Sequence, residues 1–406
     1  MPWAALGMTR EGLLMEKIAF VCQRYGLEVN GGSELYCRQV AERLAEYYEV
    51  TVYTTCALDY TTWANHYPAG EETINGVRVK RWPVRKERKQ ERFDRISAKV
   101  FGPEGHTDRD EQKWIEEQGP CCPEVIRALQ KEHGEYRVVF FMTYLYYLTA
   151  TGMPLGFENA ALIPTTHDEA PVYLRHYEKV FGAAKGLVWL TPEERAFARM
   201  RFPAVCGKPE TVTGIGMDMP EGELPEIPEG LRGQKYLVYA GRIDPSKGCG
   251  EMFEYFRRYK QENGGDLKLV LMGKPVMEIP EEDDIIPLGF VSDEMKLAVM
   301  KEAFALVLHS RFESLSMVVL ESMMMGRPVL VSGYCEVLKG HCERSKAGLW
   351  FESYGVFAEG LKWLQNHPGA YRQMRRNGEK YVREDYSWDA IIGKYKGFIS
   401  DFGGEG

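Results

Sequence analysis

One layout occurs twice in this chain: a short apolar run without polar alternation, a glycine-bearing loop, then helical spacing. Ile18-Ala19-Phe20-Val21-Cys22 leads through Asn30-Gly31-Gly32-Ser33 into a helix expected from about Ser33 to Tyr47, and the strand Glu49–Tyr53 follows. Tyr236-Leu237-Val238-Tyr239-Ala240 leads through a second glycine loop into a helix from about Gly250 to Glu262, and the strand Lys268–Met272 follows. A run that is apolar on both faces belongs to a strand covered on both faces, which is the habit of parallel sheets. Strand, helix and parallel strand in succession make a right-handed βαβ unit. The chain is therefore read as α/β, with two doubly wound domains. Its 406 residues also exceed what one ordinary core accommodates.

Further strands are expected at Val77–Trp82, Arg137–Met142, Ala161–Thr166 and Gly186–Leu190, and after the break at Ile285–Leu288, Ala305–Leu308 and Pro328–Val331. The break is the Gly- and Pro-rich stretch Phe202–Pro228. A net charge of −8 argues against nucleic acid as the main partner. No apolar run approaches the roughly 20 residues that span a bilayer. Residues 1–14 carry no clear signal-peptide pattern, and Met15 is read as the natural start. Nine scattered cysteines without a Cys-x-x-Cys pair fit neither zinc nor a disulfide framework. The expected location is the cytoplasm.

Chemistry concentrates at strand ends. Glu313 and Glu321 stand eight residues apart, after the buried strand Ala305–Leu308 and across a change to helical spacing at Leu315, Val318, Val319, Ser322 and Met323. Glu313 falls in the strand-to-helix turn, where open α/β sheets place ligands. Glu321 follows inside the helix, whose amino terminus near Ser316 and Met317 suits a phosphate. Taken alone, two glutamates on a solvated helix face would look the same. Gly241-Arg242-Ile243-Asp244-Pro245-Ser246-Lys247-Gly248 puts a planar guanidinium and a compact ammonium after another buried strand, and together they can neutralise a diphosphate. The Gly31-Gly32 pair lets backbone approach a ligand, with Ser33 as helix cap. It does not match the dinucleotide fingerprint Gly-x-Gly-x-x-Gly. His167 ends the strand beginning near Ala161, followed by Asp168 and Glu169.

Together these motifs resemble the family-4 retaining glycosyltransferases of the GT-B fold, of the bacterial group 1 type, in matching order from about residue 17 to 400. The resemblance implies two Rossmann-like domains facing each other across a cleft: residues 15–205 on the acceptor side, residues 206–385 on the nucleotide-sugar side, and a final helix at 386–402 that crosses back. It implies that Glu313 holds hydroxyls of the donor sugar and Glu321 the ribose. Arg242 and Lys247, on a loop opened by Gly241, would hold the phosphates, with the amides around Leu315, Ser316 and Met317. His167 would contact the donor sugar, and Gly31 and Gly32 would face the diphosphate. Gly216, in Gly214-Ile215-Gly216-Met217-Asp218, would let the chain pass close to the donor. Gly273-Lys274 and Gly289-Phe290-Val291 would be the nucleobase loops.

The implied activity is transfer of a hexosyl-type sugar, with retention, from a nucleotide-diphosphate sugar to an unidentified acceptor. UDP-sugar is the first expectation, with GDP- and ADP-sugar as alternatives. No cofactor is called for: no Asp-x-Asp motif stands at a strand end, and the cationic pair can take the place of a metal. Asp168, Glu169 and the aromatic run Tyr144, Tyr146, Tyr147 are read either as acceptor-side groups or as packing. Lys80–Arg95 holds eight cations against three acids and is read either as peripheral contact with the inner face of a membrane or as a solvated loop. Two rival functions share the fold: a sugar-nucleotide epimerase, which needs acid–base carboxylates, and a non-catalytic sugar-nucleotide-binding subunit.

Overall fold

The computed structural model describes residues 15–29, 31–220 and 222–402. The expectations placed on residues 1–14 and on Asn30 lie outside the described residues. The chain divides into two compact units. One contains the chain up to Trp189, Ala196–Thr213 and everything from Ile392; the other contains Leu190–Arg195 and Gly214–Ile391.

The first unit is built on a sheet of β1 (Lys17–Val21), β2 (Glu49–Thr55), β3 (Gly70–Ile74), β4 (Val77–Trp82), β5 (Val138–Met142), β6 (Ala160–Ile163), β7 (Gly186–Trp189) and β8 (Glu210–Val212). Their order is β3-β4-β2-β1-β5-β6-β7-β8, parallel throughout except for β3 against β4. Central strands such as Val138-Val139-Phe140-Phe141-Met142 are wholly buried, as expected for a sheet covered on both faces. The register sets Phe20 opposite Val52 and Phe140, and the Phe20 and Phe140 rings stack 5.0 Å apart. The last helix, Trp388–Asp401, passes out of the second unit and joins this core. Tyr395 and Phe398 pack on Phe140, and the Tyr395 hydroxyl bonds that of Tyr36 at 2.6 Å. Gly186 makes room for Phe402, whose ring lies 2.4 Å from where a Cβ would sit.

The second unit has the sheet β9 (Tyr236–Ala240), β10 (Lys268–Met272), β11 (Ile285–Gly289), β12 (Ala305–Leu308), β13 (Val329–Ser332) and β14 (Gly348–Phe351). Its order is β11-β10-β9-β12-β13-β14, all parallel. β9 and β12 are adjacent, so the loops after Ala240 and after Leu308 leave the same edge of the sheet side by side. That adjacency places the two main motifs together.

The sequence expectations missed β3, β8 and β14. β3 is the charged, exposed edge Gly-Glu-Glu-Thr-Ile with a single partner, and it lacks the apolar pattern of an interior strand. It pairs with β4 through Asn75-Gly76, both with positive φ, the two-residue turn that favours Asn-Gly. Ser33 does not cap its helix. The helix starts at Gly32 with Gly31 at the cap position and no side-chain cap, while the Ser33 hydroxyl donates to Glu34 Oε2 at 2.8 Å.

The run Lys80–Arg95 is not one basic face. Lys80 and Arg81 are buried in β4, where Lys80 reaches Glu132 at 2.6 Å and Arg81 donates to the Tyr25 carbonyl at 2.7 Å. Arg85 pairs with Glu124 and Lys86 with Glu117. Arg88 packs over the Trp63 ring and donates to the Gln118 carbonyl. Five of the eight cations thus have partners within the fold. Among the described residues no helix is long and apolar enough to cross a membrane.

Candidate active site

Gly241 follows β9 with φ +147, and Gly273 follows β10 with φ +141. A Cβ on Gly273 would lie 1.9 Å from the Gly241 carbonyl oxygen. Both glycines are needed for two loops to touch backbone to backbone. The Gly241 amide donates to the Met272 carbonyl, and Tyr239 donates its hydroxyl to the Arg242 carbonyl at 2.6 Å. Asp244 accepts the Ser246 amide at 2.8 Å and starts the short turn Pro245–Lys247. Burial works to raise the Asp244 carboxyl, but the Ser246 bonds outweigh it and hold the group below its ordinary value. Arg242 stands 3.3 Å from Asp244 with half of its side chain exposed. Gly248 (φ +71) ends the turn, and its Cα abuts the His309 carbonyl, 2.5 Å from where a Cβ would be.

From this turn Lys247 reaches Glu313 on the neighbouring loop, Nζ to Oε1 2.8 Å. The loop after β12 is held from below. His341, fully buried, donates Nε2–H to the Leu315 carbonyl at 2.7 Å and faces the Tyr381 hydroxyl through Nδ1. Burial keeps its pKa down at about 3. Thr191 donates to the Ser314 carbonyl at 3.4 Å. The helix Met317–Met324 begins after Ser316, which has φ +62 and gives no side-chain cap. The Ser316 hydroxyl is buried with no hydrogen-bond partner among the described residues. The Val319 amide bonds back to the Ser316 carbonyl, and the Met317 and Val318 amides before it have no carbonyl of their own helix to bond, so this end presents donors and a partial positive charge.

Glu321, the fifth residue of that helix, is paired by its Oε1 with Lys296 Nζ at 2.8 Å. Lys296 belongs to the helix Asp293–Glu302, which Ser292 caps by accepting the Met295 amide. Burial raises the Glu321 carboxyl above its ordinary range, and Lys296 pulls the other way. Gly273 donates its amide to the Gly289 carbonyl at 2.8 Å, which ties the loops after β10 and β11 together. Lys274 is exposed, Val291 half-buried and the Phe290 ring 80% exposed.

The second unit thus gathers Arg242, Lys247, Glu313, Ser316, Met317 and Glu321 from sequence-distant segments. Two cations, the amides of a helix start and two carboxylates can hold a polyanion and several hydroxyls at once. Gly216 answers to another demand: a Cβ there would fall 2.1 Å from the Trp388 ring, so packing of the indole alone requires glycine. Lys296 and His341 escaped the sequence reading. Their only advance signals were a lysine four residues past a capping serine and a histidine on a mixed helix, and both patterns are common.

The first unit holds its own cluster. His167 Nε2 lies 3.4 Å from Glu169 Oε2, and Glu169 Oε1 accepts the Tyr144 hydroxyl at 2.6 Å. Burial would raise the Glu169 carboxyl, but the His167 and Tyr144 contacts prevail and lower it. Tyr144 is packed edge-on to Tyr177 and Tyr146 edge-on to Trp63. Asp168 accepts the Tyr173 hydroxyl. Beside Gly31, Arg24 and Glu34 form a buried ion pair at 2.6 Å; a Cβ on Gly31 would strike both side chains, whereas Gly32 faces open space. Among the described residues no group of three His, Cys, Asp or Glu side chains could hold a metal ion.

Residues 225–381 match the family described as glycosyl transferases group 1. This segment is a group 1 glycosyl transferase domain. It contains the Arg242, Lys247, Glu313 and Glu321 cluster. An uncharacterized glycosyltransferase of Methanocaldococcus jannaschii is 27% identical over 172 residues, 39% of this chain and 43% of that protein. The chain spans less than half the length of the curated relatives it matches. Sucrose-phosphate synthase from Thermosynechococcus elongatus superposes with a TM-score of 0.66 at 18% identity, covering 95% of this chain and 99% of that one. HepE from Anabaena, solved with UDP and glucose, gives 0.64 at 14% identity over 95% and 99%. The fold is GT-B: a group 1 glycosyl transferase domain following a second parallel-sheet Rossmann-like unit.

Proposed function

We propose that this protein transfers a sugar from a nucleoside-diphosphate sugar to an acceptor hydroxyl, with retention at the anomeric carbon. The observation that carries the reading is the Lys247–Glu313 pair, with Arg242 on the same turn and the uncapped start of the Met317–Met324 helix beside it. A departing diphosphate needs charge stabilisation from groups already in place. Arg242, Lys247 and the amides at Ser316 and Met317 supply it without a resident metal. Glu313 takes hydroxyls of the sugar and Glu321 those of the ribose. The glycosidic C–O bond to the diphosphate breaks as the acceptor oxygen attacks the same face, and the acceptor proton passes to a departing phosphate oxygen. Neither glutamate is a nucleophile in this scheme. UDP-sugar is the first donor to test, because HepE, of the same fold, holds UDP and glucose. His167, Gly31 and Gly32 are assigned to the donor by family resemblance. Incubation with a panel of UDP-, GDP- and ADP-sugars, following nucleoside diphosphate release with and without acceptor extracts, tests the reading. Turnover of one donor to free diphosphate is expected, and cleavage of none would refute transfer. Product epimerised within an intact nucleotide sugar would favour an epimerase instead.

A further inference from the structure

Lys247 is one of two lysines that hold the glutamates of this site. Lys296 holds the other. Its Nζ lies 2.8 Å from Glu321 Oε1 and 2.9 Å from Asp293 Oδ1, so two carboxylates from different helices fix one ammonium. The Lys296 and Glu321 side chains are only 22% and 15% exposed. A carboxylate this enclosed, with one oxygen in an ion pair, keeps a defined direction for the other. Glu321 Oε2 makes no hydrogen bond among the described residues, and it is not among the buried atoms left without a partner. An ionised carboxylate oxygen accepts hydrogen bonds only, so the groups that suit it are donors such as the two hydroxyls of a ribose.

We infer that Lys296 is a positioning residue that sets the preference of this site for ribose over deoxyribose, by fixing Glu321 Oε1 and leaving Oε2 to accept from the ribose hydroxyls. The inference rests on the donor-site reading above. It does not need the sugar, the acceptor or the transfer step. Without the ammonium nothing fixes Glu321 Oε1, so the carboxylate is free to turn and its other oxygen no longer keeps one direction. Phosphate contacts through Arg242 and Lys247 are on other loops and are untouched. Loss of Lys296 therefore weakens ribonucleotides selectively instead of weakening every nucleotide equally.

Calorimetric titration of the full chain with UDP, 2′-deoxy-UDP and 3′-deoxy-UDP, repeated with the adenosine and guanosine series, reads this directly. Two hydrogen bonds to a charged acceptor make the wild type prefer the ribonucleotide by roughly tenfold or more. In Lys296→Met the preference collapses towards one at pH 7 while deoxynucleotide affinity stays within about threefold. Lys296→Arg, which keeps a cation against Glu321, retains most of it. A purely structural role for Lys296 would weaken ribonucleotides and deoxynucleotides alike. Full discrimination in Lys296→Met, with loss in Glu321→Gln, would overturn the inference and leave Glu321 as the ribose group. A wild type that binds nucleoside diphosphates without discriminating would overturn both assignments. A wild type that binds none would overturn the donor-site reading, and this inference with it.

Discussion

Lys247→Ala separates a catalytic charge from a structural one. Lys247 Nζ sits 2.8 Å from Glu313 Oε1, with 29% and 16% of the two side chains in water. At that exposure the pair contributes about 1 kcal/mol or less to stability, because solvent screens it and both groups can be hydrated when parted. A loss of that size lowers the melting midpoint by only about 1 °C in a chain of 406 residues. The expected effect on turnover is far larger. If Lys247 meets the departing diphosphate, its removal withdraws one preorganised charge from the transition state, which costs about 3–4 kcal/mol, or a factor of roughly a hundred to a thousand in kcat. KM for the donor should change less than kcat, since charge builds on the leaving oxygen only as the bond breaks. Lys247→Arg should restore part of the rate, and Lys247→Met should not. Thermal melting and steady-state assay on the same preparations decide the matter. A rate within tenfold of wild type in a folded Lys247→Ala would refute the phosphate assignment, because no other role of this lysine predicts a loss confined to turnover.

Acid should destabilise the protein through its buried histidines. His309 and His341 titrate at about 3 when folded, chiefly because burial penalises the charged ring, against 6.5 when unfolded. Below pH 6.5 the unfolded chain binds protons that the folded one does not, so stability falls by about 1.4 kcal/mol per pH unit for each histidine until pH nears 3. Urea midpoints at pH 7 and pH 5 measure the slope, and an unchanged slope in His341→Gln would contradict the assignment. Gly216→Ala should lower stability by about 1–3 kcal/mol, from overpacking against Trp388. Thermal melts test this, with Gly216→Ala/Trp388→Ala expected to regain part of the loss. If Arg242 and Lys247 supply the charge on the diphosphate, donor turnover should survive exhaustive treatment with EDTA. Loss of activity restored only by a divalent ion would show otherwise.

The interior strands were legible where burial on both faces writes a mostly apolar run: β9, β10 and β12 fall where the residues placed them. β3 was not legible in the same way, since an exposed edge carries charge instead of pattern, although Asn75-Gly76 was there to find. Residue type and strand-end position singled out Arg242, Lys247, Glu313 and Glu321 as candidates, and the structure places all four in the second unit. What no spacing could announce is which lysine meets which glutamate. Lys247 and Glu313 are 66 residues apart and Lys296 and Glu321 are 25 apart, and only the placement of β12 beside β9 and the packing of two helices bring them together. Ser33 shows the converse error: a good capping residue type, one position inside a helix that already starts at glycine.

The chain changes unit at Trp189, Arg195, Thr213 and Ile391. A single proteolytic nick therefore cannot release either half. Cutting after Thr213 would free a fragment that still carries Tyr395 and Ile399, both wholly buried in the first unit, so the pieces should co-purify until denaturant is added. For the same reason neither unit can be expressed as one uninterrupted segment. A soluble fragment of the second unit would need residues 190–195 grafted back, with Glu193 restored to Arg344 and Thr191 to the Ser314 carbonyl.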